Sequence, residues 1–65
     1  MEYKSKLKFM RENKGITQAG LAEKSGVNLR MIQHYEQGTK DIKKGNVMTV
    51  LKLAEALGCN IKDIL

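Results

Sequence analysis

Several residue types are scarce or missing in this 65-residue sequence, which contains no proline, no tryptophan and one cysteine. A single cysteine forms no internal disulfide and supplies no metal-binding set, so a disulfide-stabilised secreted domain is not expected. No apolar run approaches the roughly 20 residues that a membrane-spanning helix needs, and we find no signal peptide. Without an internal repeat or a low-complexity tract, residues 1–65 are expected to form one domain in the cytoplasm.

The side-chain sets that carry catalysis are also missing. The sequence shows no paired nucleophile and base, no constellation of carboxylates and no glycine-rich phosphate loop. Its one histidine, His34, has no second metal ligand at a suitable spacing. We therefore expect neither an enzyme nor a bound metal or other cofactor.

Positive charge, by contrast, is abundant. Twelve lysines and arginines outnumber seven acidic residues, which gives a formal net charge of +5. This excess favours a polyanionic partner such as nucleic acid. Many small basic proteins bind no nucleic acid, however, so charge alone does not decide the function.

Residues 17–38 read as two short helices joined by a tight turn. Thr17 is a good N-cap for the first helix, and Gly26 suits the left-handed conformation that ends it. Asn28 is a good N-cap for the second helix, whose Ile32 and Tyr35 share an inward face. This arrangement is typical of the DNA-binding helix-turn-helix, in which the second helix enters the major groove.

The motifs of this stretch resemble those of the Xre/Cro-type helix-turn-helix repressor family. The similarity covers roughly residues 7–65, and only Gly20, where the family usually has an acidic residue, and a longer segment after Gly38 depart from the pattern. It is carried by Gly15-Ile16-Thr17-Gln18, Leu21-Ala22, Gly26-Val27, Ile32, Tyr35-Glu36, Gly38 and Leu53-Ala54-Glu55-Ala56-Leu57-Gly58.

The resemblance and the apolar periodicity together predict an all-α fold, a compact five-helix domain like that of lambda repressor, with the helix-turn-helix at helices 2 and 3. The expected helices span about residues 3–14, 18–25, 29–37, 47–57 and 61–65. Tyr3, Leu7 and Met10 form the inward stripe of the first helix. In the fourth helix Val50, Leu53, Ala54 and Leu57 form the stripe, which Val47 extends and Leu51 widens.

The family pattern implies roles for side chains on and beside the recognition helix. Base reading falls to Leu29, Arg30, Gln33 and His34. Phosphate binding is expected of Gln18 and Asn28 at the helix N-termini, of Gln37, and of Lys40, Lys43 and Lys44 just past the recognition helix. The alternative for the three lysines is that they are solvated loop residues without a ligand.

Two further features concern packing and assembly. By resemblance, Arg11 and Glu36 form an ion pair that ties helix 1 to the recognition helix, the alternative being two unrelated surface charges. Phe9 lies off the inward stripe and is either a single exposed aromatic or a contact for a second protein. Family members often dimerise through the end formed by helices 4 and 5, so Ile64 and Leu65 either complete the monomer core or form a dimer surface.

Three functions remain open at this point. The first is a transcriptional repressor that binds double-stranded DNA as a homodimer and occludes an operator. The second is an antitoxin, which uses the same DNA-binding fold and also binds a small toxin protein. The third is a protein-interaction module that has lost DNA binding, for which Leu29 and Met31 are the best support. Arg30, Gln33 and the net charge argue against the third.

Overall fold

The computed structural model describes residues 5–65, and these form α-helices without any β-strand. Four α-helices follow one another along the chain: α1 (Lys6–Asn13), α2 (Gln18–Ser25), α3 (Leu29–Gln37) and α4 (Val47–Leu57). Two single-turn 3₁₀ helices cover Ile42–Lys44 and Ile61–Asp63. The expected all-helical helix-turn-helix architecture is confirmed, whereas the expected count of five α-helices is wrong.

Capping side chains determine where α2, α3 and α4 begin, and the bounds of these helices coincide with those read from the sequence. The Thr17 hydroxyl accepts a hydrogen bond from the Gly20 backbone N–H at 2.9 Å. The side-chain oxygens of Asn28 and Asn46 each accept one from the backbone N–H two residues later, both at 2.8 Å. Each of these bonds satisfies a donor that the first helical turn leaves without a partner.

The first helix is shorter than the sequence predicted. Ser5 is extended, and its hydroxyl accepts from the Lys8 backbone N–H at 2.9 Å, so α1 begins at Lys6 and not near residue 3. Tyr3, which was expected to open this helix and its inward stripe, lies outside the described residues. Leu7 is buried as expected, while Met10 is half-buried against the core.

The C-terminal segment contains a 3₁₀ turn where a fifth α-helix was expected. The Asp63 and Ile64 backbone N–H groups donate to the carbonyl oxygens three residues earlier, at 3.0 Å each. Such bonds build a 3₁₀ turn, the common form for very short helical pieces. The turn directs Ile64 into the core, where its side chain is 1% exposed.

All four helices and the C-terminal turn contribute to one core, in which α4 packs against α2 and the C-terminal turn. Val47, expected to extend the α4 stripe inward, is 70% exposed. It occupies the first position of α4. The side chains that are almost completely buried are Leu7, Leu21, Ile32, Leu53, Leu57 and Ile64.

The described part of the chain measures 29 × 24 × 21 Å. Its longest helix, α4, has 11 residues. Between residues 5 and 65, none of the helices is long and apolar enough to cross a membrane.

Gly45 allows the chain between α3 and α4 to pass close to a buried aromatic side chain. Its backbone is extended (φ −77°, ψ 173°), a conformation that any residue adopts. A β-carbon placed there would overlap the hydroxyl oxygen of Tyr35 and come within 3.2 Å of the Ile42 carbonyl oxygen. The requirement for glycine is therefore steric.

We predict that Gly45→Ala lowers the free energy of unfolding by about 1–3 kcal/mol, the usual cost of overpacking. Adding Tyr35→Phe should restore much of this loss because it removes the overlapping oxygen. Urea denaturation of the wild type, both single variants and the double variant measures the effect. A double variant no more stable than Gly45→Ala alone would contradict the steric explanation.

Candidate nucleic-acid interface

The turn between α2 and α3 holds the second helix at a fixed angle to the first. Gly26 ends α2 with φ 76°, a left-handed conformation that favours glycine, and its N–H donates to the Ala22 carbonyl oxygen at 2.9 Å. Val27 then turns into the core, where it is 8% exposed. Its N–H donates to the Ser25 hydroxyl at 3.1 Å. The turn is thus fixed by packing as well as by hydrogen bonds.

The recognition helix α3 has a buried side and an accessible side. Ile32, Tyr35 and Glu36 are buried. Arg30, Gln37 and the capping residue Asn28 are exposed, and Leu29 keeps 38% of its surface. The structure therefore places every residue expected to read bases on the accessible side: Leu29, Arg30, Gln33 and His34 are each exposed or half-buried.

Part of the predicted site converges on a shallow recess of about 290 Å³ beside the N-terminal half of α3. It is lined by Asn28, Arg30, Met31, His34 and Lys40. The loop after α3 therefore brings one lysine next to two side chains expected to read bases. Leu29 and Gln33, the other two residues expected to read bases, do not line this recess. Gln37, expected to bind a phosphate, does not line it either.

The other two loop lysines lie on either side of Lys40. Lys43 shares a recess of about 440 Å³ with Lys40 and with Lys6 from the start of α1. Lys44 shares a second recess, of about 350 Å³, with Lys40 and Asn46. All three loop lysines are exposed, and the backbone between them is held by Asp41, whose carboxylate accepts from the Lys43 N–H at 2.9 Å. Positive charge thus continues from α3 into the following loop.

Asn28 and Gln18, expected to bind phosphates at the helix N-termini, differ in how many side-chain N–H groups remain without a partner within the protein. The side-chain oxygen of Asn28 caps α3, which leaves its amide N–H groups as donors at the surface. Gln18 instead donates its amide to Glu36 Oε1 at 2.9 Å. Gln18 therefore has a structural partner that the sequence did not suggest, and one N–H remains for a phosphate.

The buried carboxylate of Glu36 joins α3 to the two preceding helices. Arg11 Nε lies 2.7 Å from Glu36 Oε2, and Arg11 Nη2 donates to Oε1 at 3.0 Å. Arg11 Nη1 also donates to the Ile16 carbonyl oxygen at 2.7 Å. The ion pair expected from the sequence is therefore present, as a bidentate contact whose side chains are 11% and 2% exposed. The hydrogen bond to Glu36 raises the pKa of the Arg11 guanidinium above its ordinary value.

The residues proposed from the sequence as a dimer or partner surface do not form one surface. Ile64 belongs to the monomer core, so its assignment to a partner surface is corrected. Phe9 is 52% exposed and lines a groove with Met10 and Lys62. Leu65 is half-buried and lines a different recess with Val47 and Ile61. A single exposed aromatic such as Phe9 is ordinary and does not by itself indicate a partner.

The side chain of Cys59 is half-buried against the core. Burial raises the pKa of its thiol, which disfavours the reactive thiolate. Residues 5–65 contain no group of three or more histidine, cysteine or acidic side chains arranged to hold a metal ion.

A second polar contact within the site, besides that of Gln18 with Glu36, was not predicted from the sequence. Thr39 Oγ1 lies 2.7 Å from His34 Nδ1. Thr39 follows the Gly38 that ends α3, and no helical spacing relates it to His34. Only the reversal of the chain at Gly38, which has φ 82°, brings the two side chains together.

Comparison with known proteins agrees with this geometry. A family model described as helix-turn-helix matches residues 7–64. The chain belongs to the Xre-type helix-turn-helix family. A solved structure with the same fold, at a TM-score of 0.80, is the restriction-modification controller protein C.AhdI from Aeromonas hydrophila. The two are 28% identical, and the match covers 92% of this chain and 86% of that one. No curated protein matches the sequence significantly.

Family membership indicates the general function of the chain. The chain is a DNA-binding regulator of the helix-turn-helix type, and this points away from an enzyme. DNA-binding helices of this type present their N-terminal residues to base edges. In this chain, Asn28 and Arg30 at that end of α3 line the recess described above.

We predict that Arg11 and Glu36 are energetically coupled. Removing either side chain leaves a buried charge without its partner, at a cost of about 3–5 kcal/mol. The double variant Arg11→Ala/Glu36→Ala should therefore be more stable than the sum of the single losses implies, by about 1–3 kcal/mol. Urea unfolding of the four proteins gives the coupling, and the cycle of Arg11 with exposed Glu23 is the control. Equal coupling energies in the two cycles would contradict a specific interaction between Arg11 and Glu36.

Proposed function

We propose that this protein is a sequence-specific regulator of transcription that binds double-stranded DNA as a homodimer and represses by occupying an operator. The observation that carries the proposal is the convergence of Arg30, His34 and Lys40 on the accessible side of α3. The similarity to a restriction-modification controller protein supports a regulatory role.

Base reading is assigned to the accessible residues of α3. The exposed guanidinium of Arg30 suits the O6 and N7 atoms of guanine, and the amide of Gln33 suits adenine. The apolar side chain of Leu29 fits against a thymine methyl group. Since the opposite side of α3 is buried, these side chains approach the groove from a helix whose rotation is fixed.

Phosphate contacts are assigned to groups around this face. The Asn28 amide and the backbone N–H groups at the start of α3 offer donors to an anion at the helix N-terminus. Lys40, Lys43 and Lys44, all exposed in the loop that follows α3, are assigned to phosphates, and so are Gln18 and Gln37. Such contacts set register and supply salt-dependent affinity without reading sequence.

Dimerisation is assigned to the apolar surface formed by Val47, Ile61 and Leu65. These residues line one recess of about 100 Å³ together with Ile42, Val50, Gly45 and Lys43. Val47 is an aliphatic side chain left 70% exposed in the monomer, and a second copy would cover it. A two-fold symmetric dimer places two recognition helices about 34 Å apart and implies a near-palindromic operator.

Arg30→Ala and Lys44→Ala form a matched pair that tests the division between base and phosphate contacts, because Lys44 is exposed and does not line the apolar recess of Val47, Ile61 and Leu65. Arg30→Ala should cost about 1–3 kcal/mol on the preferred duplex and relax specificity at one base pair. Lys44→Ala should weaken binding to all duplexes alike and reduce the slope of log affinity against log salt by about 1. Fluorescence anisotropy on specific and scrambled duplexes over a salt series measures both. An equal loss on both duplexes for Arg30→Ala would reassign it to a phosphate.

For the dimer surface, Val47→Asp should weaken self-association about tenfold, as expected for the loss of roughly 1.4 kcal/mol of apolar contact. Met48→Asp is the matched control, because Met48 is the neighbouring exposed residue of α4 and does not line the recess. Sedimentation equilibrium over a concentration series, with and without operator DNA, gives the association constants. Equal effects of the two variants would remove this surface from the dimer.

A further inference from the structure

Lys6 at the start of α1 and two lysines of the loop after α3 line the same recess, of about 440 Å³. The loop lysines are Lys40 and Lys43, and all three side chains are exposed. Among residues 5–65, none of the three forms an ion pair with an acidic side chain. The fold therefore brings together three positive charges from two distant parts of the sequence, and an anion bound between them would relieve their mutual repulsion.

Ser5, which caps α1, also lines this recess and adds neutral donors to it. The residue is 8% exposed, and its hydroxyl oxygen accepts from the Lys8 backbone N–H at 2.9 Å. No hydrogen bond among residues 5–65 uses the hydroxyl proton, which can rotate towards an acceptor. The Ser5 carbonyl oxygen accepts from the Phe9 N–H at 3.0 Å. The first turn of α1 therefore leaves the N–H groups of Lys6 and Leu7 without an intrahelical acceptor.

Three apolar side chains and one carboxylate also line the recess. The apolar side chains are those of Ile42, Ile64 and Leu65. A cleft in which one sign of charge dominates and the walls have a low dielectric constant concentrates the field and attracts the opposite charge. The carboxylate belongs to Asp41, and its Oδ1 accepts from the Lys43 backbone N–H at 2.9 Å, which caps the 3₁₀ turn. With three lysines and one aspartate, the lining side chains carry a formal charge of +2.

We propose that this recess binds a phosphate group. Lysine ammonium groups bind phosphate as point charges, and phosphate oxygens also accept from hydroxyl and backbone N–H groups. Lys6 and Ser5 extend the site to α1, which has no part in the DNA contacts proposed above. The phosphate belongs either to the DNA backbone beside the operator or to a small phosphorylated molecule. For the DNA source, the inference rests on the proposed function, whereas the site itself does not.

Inorganic phosphate tests the site without DNA. Phosphate replaces chloride at constant pH and ionic strength, and ¹H–¹⁵N correlation spectra should show saturable shifts at Lys6 and at other residues that line the recess. Lys6→Gln should weaken this binding about 2- to 5-fold, the range of an exposed charge pair. Lys62→Gln is the matched control, because both lysines are exposed and line the groove beside Phe9, and only Lys6 also lines the recess. Shifts that do not saturate, or equal losses for the two variants, overturn the proposal.

Asp41→Asn should change phosphate binding in the opposite direction. Asparagine keeps a side-chain oxygen that can cap the 3₁₀ turn and removes the negative charge from the recess. Phosphate should therefore bind about 2- to 5-fold more tightly. Asp63→Asn is the matched control, because Asp63 Oδ2 likewise accepts from a backbone N–H, that of Asn60, and Asp63 does not line the recess. Equal gains for the two variants would mean that only the overall charge matters, which overturns the proposal.

The salt dependence of duplex binding identifies the source of the phosphate. Fluorescence anisotropy over a salt series compares the wild type with Lys6→Gln and Lys62→Gln. If the phosphate belongs to DNA, Lys6→Gln should reduce the slope of log affinity against log salt by about 1, and Lys62→Gln should leave it unchanged. An unchanged slope for Lys6→Gln, together with saturable binding of inorganic phosphate, assigns the site to a small phosphorylated molecule. If the protein binds no duplex, the proposed function fails, and the phosphate titration still decides whether the site exists.

Discussion

The bidentate contact between Arg11 and Glu36 is the interaction on which the orientation of α3 depends. Its 2.7 Å and 3.0 Å bonds lie at the meeting point of α1, α2 and α3, with the Gln18 amide completing the coordination of the carboxylate. A carboxylate that is 2% exposed is tolerated only when its oxygens are hydrogen-bonded. Because Glu36 lies on α3 itself, any rotation of this helix about its axis would break these hydrogen bonds. The buried Glu36 carboxylate therefore fixes which residues of α3 face outward.

The rest of the candidate site follows from that fixed rotation. Burying Ile32 and Tyr35 leaves Arg30 and His34 accessible, and the left-handed Gly38 folds the next loop back so that Lys40 and Thr39 meet them. Tyr35 in turn requires glycine at position 45, which keeps this loop close to α3. The shape of the interface therefore depends on the core beneath it and on two glycines. A larger side chain does not fit at Gly45 and would be strained at the left-handed Gly38.

The sequence predicted most of the fold because local signals and tertiary packing agree. Side-chain caps and left-handed glycines mark the bounds of α2, α3 and α4, and these features are readable from residue type alone. The segment after Asn60 was not predicted correctly. Apolar residues at positions 61, 64 and 65 suit an α-helix and a 3₁₀ turn equally, so packing against the core determines which of the two forms. The outward position of Val47 and the partners of Gln18 and His34 likewise depend on which elements lie nearby. The spacing of apolar residues along one helix does not show which other elements pack beside it.

On the proposed function, the accessible side of α3 reads DNA sequence. The measurement that tests it most directly is selection from a random duplex library at low and moderate salt, followed by sequencing of what remains bound. The account predicts an enriched motif with two-fold symmetry that persists as salt rises. Weak binding without a motif, lost at the higher salt, would leave only non-specific charge attraction and would contradict the account.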